Sequence, residues 1–83
     1  MNKYLDAMEE LNKLALYPTG FEEAVVGIIY KRDKFLFVMD ANKIVEILKE
    51  DSMSHEEAVE YYDFNIKGAY LGENTPIYME LVE

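Results

Sequence analysis

Two apolar runs flank a short polar break: Ala24-Val-Val-Gly-Ile-Ile-Tyr-Lys31 and Phe35-Leu-Phe-Val-Met39, with Arg32-Asp33-Lys34 between them. Short runs rich in β-branched and aromatic residues read as strands, and a polar break this brief joins them as a hairpin. The break lacks the Asn-Gly pair of the strongest hairpin turns. Both strands are apolar on both faces, so the hairpin is expected to be well covered. Gly27 marks a bulge or a close backbone approach within the first strand. The hairpin excludes an all-helical fold, and the remaining segments must supply its cover.

Those segments carry helical periodicity. Tyr4, Leu5, Met8, Leu11, Leu14 and Ala15 recur at three- and four-residue spacing, predicting a helix over 2–17 with Asn2 as its N-cap. Pro18-Thr19-Gly20 ends it. Asp40 caps a second helix over 41–50, with Ile44, Val45, Ile47 and Leu48 on its buried side. Asp51-Ser52-Met53 breaks that helix. Ser54 opens a third through a capping box with Glu57. Ala58, Val59, Tyr62 and Ile66 face inward, and Gly68 suits the left-handed position beyond the helix end. Gly72 to Pro76 reads as a tight turn, and 76–82 as a last strand. The expected fold is α+β, in the order α-β-β-α-α-β. Its three-stranded antiparallel sheet carries three helices mainly on one face. No internal repeat or linker divides residues 1–83, so one domain is expected.

Charge narrows the function. The chain has 17 Asp and Glu against 8 Lys and Arg, a net of −9. Residues 1–43 hold 7 acids and 6 bases, whereas residues 44–83 hold 10 acids and 2 bases. Such a surface repels phosphate backbones and anionic membranes, so neither direct nucleic-acid binding nor membrane binding is expected. It attracts basic partners, including proteins that bind nucleic acid. The chain has no cysteine, which removes disulfides and thiolate chemistry. The N-terminus shows no apolar leader pattern, and the expected location is cytoplasmic.

No catalytic constellation, metal-ligand set or cofactor motif is expected. His55 is the only histidine, placed in the first turn of the third helix. No Ser or Thr has a base at a useful spacing, and Asp51-Ser-Met-Ser-His departs from a calcium loop at its third, fifth and sixth positions. Carboxylates do cluster. Glu46, Glu50, Asp51, Glu56, Glu57, Glu60 and Asp63 fall within 18 residues that hold a single base, Lys49. Glu56, Glu60 and Asp63 share a helix face at four- and three-residue spacing, a like-charge stacking that costs stability. The ordinary meaning of such a run is a solvated face. The functional meaning is a surface for a basic partner.

Residues 54–78, Ser-His-Glu-Glu-Ala-Val-Glu-Tyr-Tyr-Asp-Phe-Asn-Ile-Lys-Gly-Ala-Tyr-Leu-Gly-Glu-Asn-Thr-Pro-Ile-Tyr, resemble a widespread group of small, uncharacterised phage and mobile-element proteins. The shared pattern is an E-E-A-x-E-Y helix followed by F-N, then G-A-Y-x-G-x-x-T-P and a final strand. It is matched at Glu57, Ala58, Glu60, Tyr61, Phe64, Asn65, Gly68, Ala69, Tyr70, Gly72, Thr75 and Pro76. The resemblance implies a setting, an accessory protein inside a bacterial host cell, and no particular activity.

Several readings follow. The first is a binder that modulates or inhibits a basic, nucleic-acid-binding host protein, as an inhibitor or anti-defence factor, in one form by mimicking nucleic acid. Duplex DNA carries one charge per ~1.7 Å of axis. Glu56, Glu60 and Asp63 span about 10 Å of helix and are too sparse alone. Mimicry requires Glu46, Glu50, Asp51 and Glu57 beside them, or a homodimer that doubles the acidic face. The alternatives are a docking module using apolar residues, a small-ligand domain with a pocket at Asn65, Tyr70 and Thr75, and a metal-assisted hydrolase using Glu56, Glu60 and Asp63. Phe64 is expected to be buried, and Asn65 to hydrogen-bond the following loop.

Overall fold

The computed structural model describes residues 2–69 and 71–80. Helix α1 spans Lys3–Leu11, a 3-10 turn spans Glu22–Ala24, and strands β1 (Val25–Lys31) and β2 (Lys34–Asp40) follow. Helix α2 is Ala41–Glu50 and α3 is His55–Tyr61, the latter continuing into a π-helix over Tyr62–Lys67. Strand β3 is Ile77–Met79. The architecture is α+β in the expected element order.

The hairpin turn is tighter than the sequence suggested. Lys31 pairs with Lys34, so the loop is only Arg32-Asp33, and both lie at positive φ, 54° and 65°. That is the backbone a two-residue loop needs to match the twist of its strands, normally supplied by Asn-Gly. A bulge does fall here, but one residue earlier than Gly27: the register shifts between Val25 and Gly27, leaving Val26 unpaired, while Gly27 itself pairs with Val38.

The sheet order is β1-β2-β3, and here the antiparallel expectation fails: β3 runs parallel to β2, with Val38 opposite Ile77 and Asp40 opposite Met79. Alternation of apolar residues is the same for either direction, so the sequence pattern could not reveal this. The tertiary path decides it. After the helices, the chain returns to the start of β2, where Glu73 meets Lys34 at 3.7 Å. Strand β3 then sets off alongside β2. A parallel pair needs a crossover of a dozen or more residues, which α2 and α3 provide.

Helix α1 stops at Leu11 rather than reaching residue 17. Asn12 leaves the helix with extended backbone, and its side-chain amide donates to the Phe35 carbonyl (2.9 Å) and to Asn74 Oδ1 (2.9 Å). The Leu16 N–H donates to the Asn74 carbonyl at 3.0 Å. Leu11 and Leu14 are therefore exposed rather than part of a core stripe, while Tyr17 meets Phe37 edge-on at 5.5 Å.

Three caps fall as expected. Asn2 accepts from Tyr4 N–H, Asp40 accepts from Asn42 and Lys43 N–H, and Ser54 with Glu57 completes a capping box. The core joins Met8, Phe37, Met39, Ile44, Leu48, Ala58, Tyr62 and Ile66. Phe37 and Met39 face the helices, whereas Leu36 and Val38 between them face the other side of the sheet, as strand geometry requires. Burying each of Met39 and Ile44 contributes about 1.5–3 kcal/mol.

Gly68 is not left-handed: its φ is −75°. It is needed for a close approach instead, because a Cβ there would lie 2.9 Å from the Asp63 carbonyl oxygen. Changing Gly68→Ala is expected to destabilise the fold by about 1–3 kcal/mol. Replacing Arg32-Asp33 by Asn-Gly is expected to stabilise it by about 1 kcal/mol, since L-residues with long side chains resist positive φ. Thermal unfolding reads both, at roughly 4–8 °C per kcal/mol for a domain this size.

Candidate interaction surface

Helices α2 and α3 pack against each other, which brings together carboxylates that are distant in sequence. Between them lies a cleft of about 480 Å³ bordered by Glu46, Lys49, His55, Tyr62, Asp63 and Glu80. A second, shallower depression of about 350 Å³ lies on α3 and its π-helical extension, bordered by Met53, Glu57, Glu60, Tyr61, Phe64 and Asn65.

All seven carboxylates of the 46–63 run are exposed. They do not form one stripe. Glu46 and Asp63 border the cleft, and Glu57 and Glu60 border the depression. Glu50, Asp51 and Glu56 line neither of these. Lys43 sits 3.9 Å from Glu46 and 3.7 Å from Glu23, and Lys67 sits 3.8 Å from Glu80, so bases interrupt the field. Glu57 also has a structural duty. It accepts the Ser54 backbone N–H at 3.0 Å, and this bond, with the one to the Ser54 side chain, holds its carboxyl below the usual carboxylate range.

The loop motif resolves into separate parts. Gly72 takes positive φ (98°), and Thr75 Oγ1 donates to the Gly72 carbonyl (2.7 Å) while accepting the Leu71 N–H (2.9 Å). Pro76 is buried. Thr75 therefore closes a turn. Asn65 is exposed, and its side chain makes no hydrogen bond among the described residues, against expectation. Asn65 and Thr75 border different depressions, and Tyr70 lies outside the described residues. No three His, Asp or Glu side chains among the described residues converge as cation ligands.

The clearest departure from the sequence reading is Phe64. It was expected inside the core and is 79% exposed, next to half-exposed Tyr61. The reason is periodicity. Residues two apart on a helix point in opposite directions, and Tyr62 and Ile66 are both buried. Phe64 between them must face out. That spacing is present in the sequence and sets the direction of Phe64 against its aromatic character.

Tyr62 faces inward, as its spacing predicts. Tyr62 is 3% exposed and its ring stands edge-on to Tyr78 at 5.8 Å, and its hydroxyl has no hydrogen-bond partner among the described residues. Burial, then the nearby Glu80, Tyr78 and Asp63, push its pKa up to about 12.

No family model, curated protein or solved structure matches the chain.

Removing the Tyr62 hydroxyl with Tyr62→Phe is expected to raise stability near neutral pH by about 1 kcal/mol. In alkali the unfolded chain ionises this group near pH 10, while the folded chain keeps its proton to about pH 12. Stability should therefore fall across that window in the parent, and fall less in Tyr62→Phe. Urea unfolding at pH 7 and at several points between pH 10 and 12 checks both.

Proposed function

We propose that this protein binds a basic, nucleic-acid-binding protein through the outer face of α3, and modulates or inhibits that protein by covering its basic surface. The observation that carries the reading is Phe64, 79% exposed, bordering the same depression as the carboxylates Glu57 and Glu60. Burying a phenylalanine against a partner is worth about 1.5–3 kcal/mol. A central aromatic with a charged rim is the usual anatomy of a binding patch. The carboxylates speed encounter with a basic surface and select against acidic ones. A π-helical turn beside the patch adds support, since such turns recur at functional sites.

The distribution of charge favours docking over mimicry of nucleic acid. The seven carboxylates divide between two depressions and open surface, with Lys43 and Lys49 among them. That falls short of the charge density of a duplex. The resemblance of residues 54–78 to small phage and mobile-element proteins supports a setting in a bacterial cytoplasm.

The test is capture from a bacterial lysate at two salt concentrations, followed by titration of the purified partner. Phe64→Ala is expected to weaken binding at least tenfold at both salts. Replacement of Glu60, which borders the Phe64 depression, by Gln should weaken it at low salt and matter less at high salt. Competition by DNA would mark the covered surface as the partner's nucleic-acid site. Recovery of the same proteins with unchanged affinity by both variants overturns the reading.

A further inference from the structure

Strand β1 is the edge of the sheet, and among the described residues no strand lies beside its outer side. The two-residue turn makes Lys31–Lys34 a hydrogen-bonded pair, so Ile29–Leu36 and Gly27–Val38 are also hydrogen-bonded pairs. Ile28 and Tyr30 consequently turn their backbone N–H and C=O groups outward. Native edges are usually blunted by Pro, charge or bulges. Here the bulge lies at the start of the strand, and Gly27–Tyr30 beyond it carries neither Pro nor charge. The side chains beside this edge are apolar and open: Val26 is 37% exposed and Ile29 is 39% exposed.

Charge identifies the occupant. Glu22 and Glu23 precede the strand, and Lys31 and Arg32 follow it. Lys31 and Arg32 have no ion-pair partner among the described residues. Residues 22–34 hold three acids and three bases and are neutral, in a chain of net −9. This edge is therefore where two copies repel least. An antiparallel neighbour with the same sequence would set its basic end against the acidic end here, twice by symmetry. A parallel neighbour would set like against like. We propose that β1 pairs antiparallel with β1 of a second copy of this chain, joining the two sheets into one six-stranded sheet.

The contact is small. A standard interface covers about 800 Å² per partner, roughly one-seventh of the 5838 Å² surface. Four or five paired residues with Val26 and Ile29 do not reach that area, so the dimer is weak and concentration-dependent.

Sedimentation velocity between about 1 µM and about 500 µM tests this, with the fold of each variant checked by circular dichroism. The parent should pass from monomer to dimer across the range. Ile29→Lys and Tyr30→Pro should each weaken the dimer at least tenfold. Neither removes a β1–β2 hydrogen bond, because Ile29 keeps its backbone and the Tyr30 N–H points outward. Joint Lys31→Glu and Arg32→Glu should also weaken it, and adding Glu22→Lys and Glu23→Lys should restore it. Phe64→Ala should leave dimerisation unchanged, which separates this proposal from the function proposed above. The proposal is overturned by a chain that stays monomeric throughout, by a dimer indifferent to Ile29→Lys and Tyr30→Pro, by charge reversal without rescue, or by a monomer whose β1 edge instead takes up an unrelated extended peptide.

Discussion

The parallel pairing of β3 onto β2 is the constraint on which the rest of the structure depends. Strand β3 is three residues long, too short to define its own place. It is positioned by the segment before it, which Asn12 and Leu16 hold through Asn74 and which Lys34 meets at Glu73. That attachment requires α1 to end at Leu11, so that Asn12 can turn its amide toward the sheet. It also requires the chain to travel from the far end of β2 back to its start. Helices α2 and α3 occupy that return and bring Ile44, Leu48, Ala58, Tyr62 and Ile66 into the core.

The same arrangement separates two kinds of surface. The helical side carries the carboxylates of the 46–63 run, and Phe64 and Tyr61 are exposed beside Glu57 and Glu60. The edge of the sheet is neutral and apolar, far in composition from the helical side although part of the same small fold. A domain of this size buries somewhat more than ~60% of the surface of its unfolded chain. Exposing Phe64, Ile29 and Val26 at once gives up stabilisation that such a domain can ill spare. A Tyr62 hydroxyl with no hydrogen-bond partner among the described residues adds to that cost.

Local chemistry was legible because it depends on a few neighbouring residues. Asn2, Asp40 and Ser54 cap helices in the structure as their positions imply, since an N-cap needs only one side chain and the next few N–H groups. The hairpin was legible for the same reason, and Gly27 marked its bulge to within one residue, at Val26. The end of α1 was not. Leu14 and Ala15 continue the apolar rhythm, but hydrogen bonds from Asn12 to residues 23 and 62 positions away overrode it. Phe64 was not legible from its aromatic character, because helical phase rather than hydrophobicity sets which way it faces.

The sequence by itself determined the class of fold, the order of elements, the caps and the concentration of carboxylates in the second half, because each follows from composition, periodicity or adjacent residues. The tertiary structure alone decided the direction of β3, the division of those carboxylates between two depressions, and the open edge at β1. Each of these depends on which distant segments share a side of the sheet. Apolar alternation is identical for parallel and antiparallel strands, and helical spacing says which residues share a face but not what that face meets.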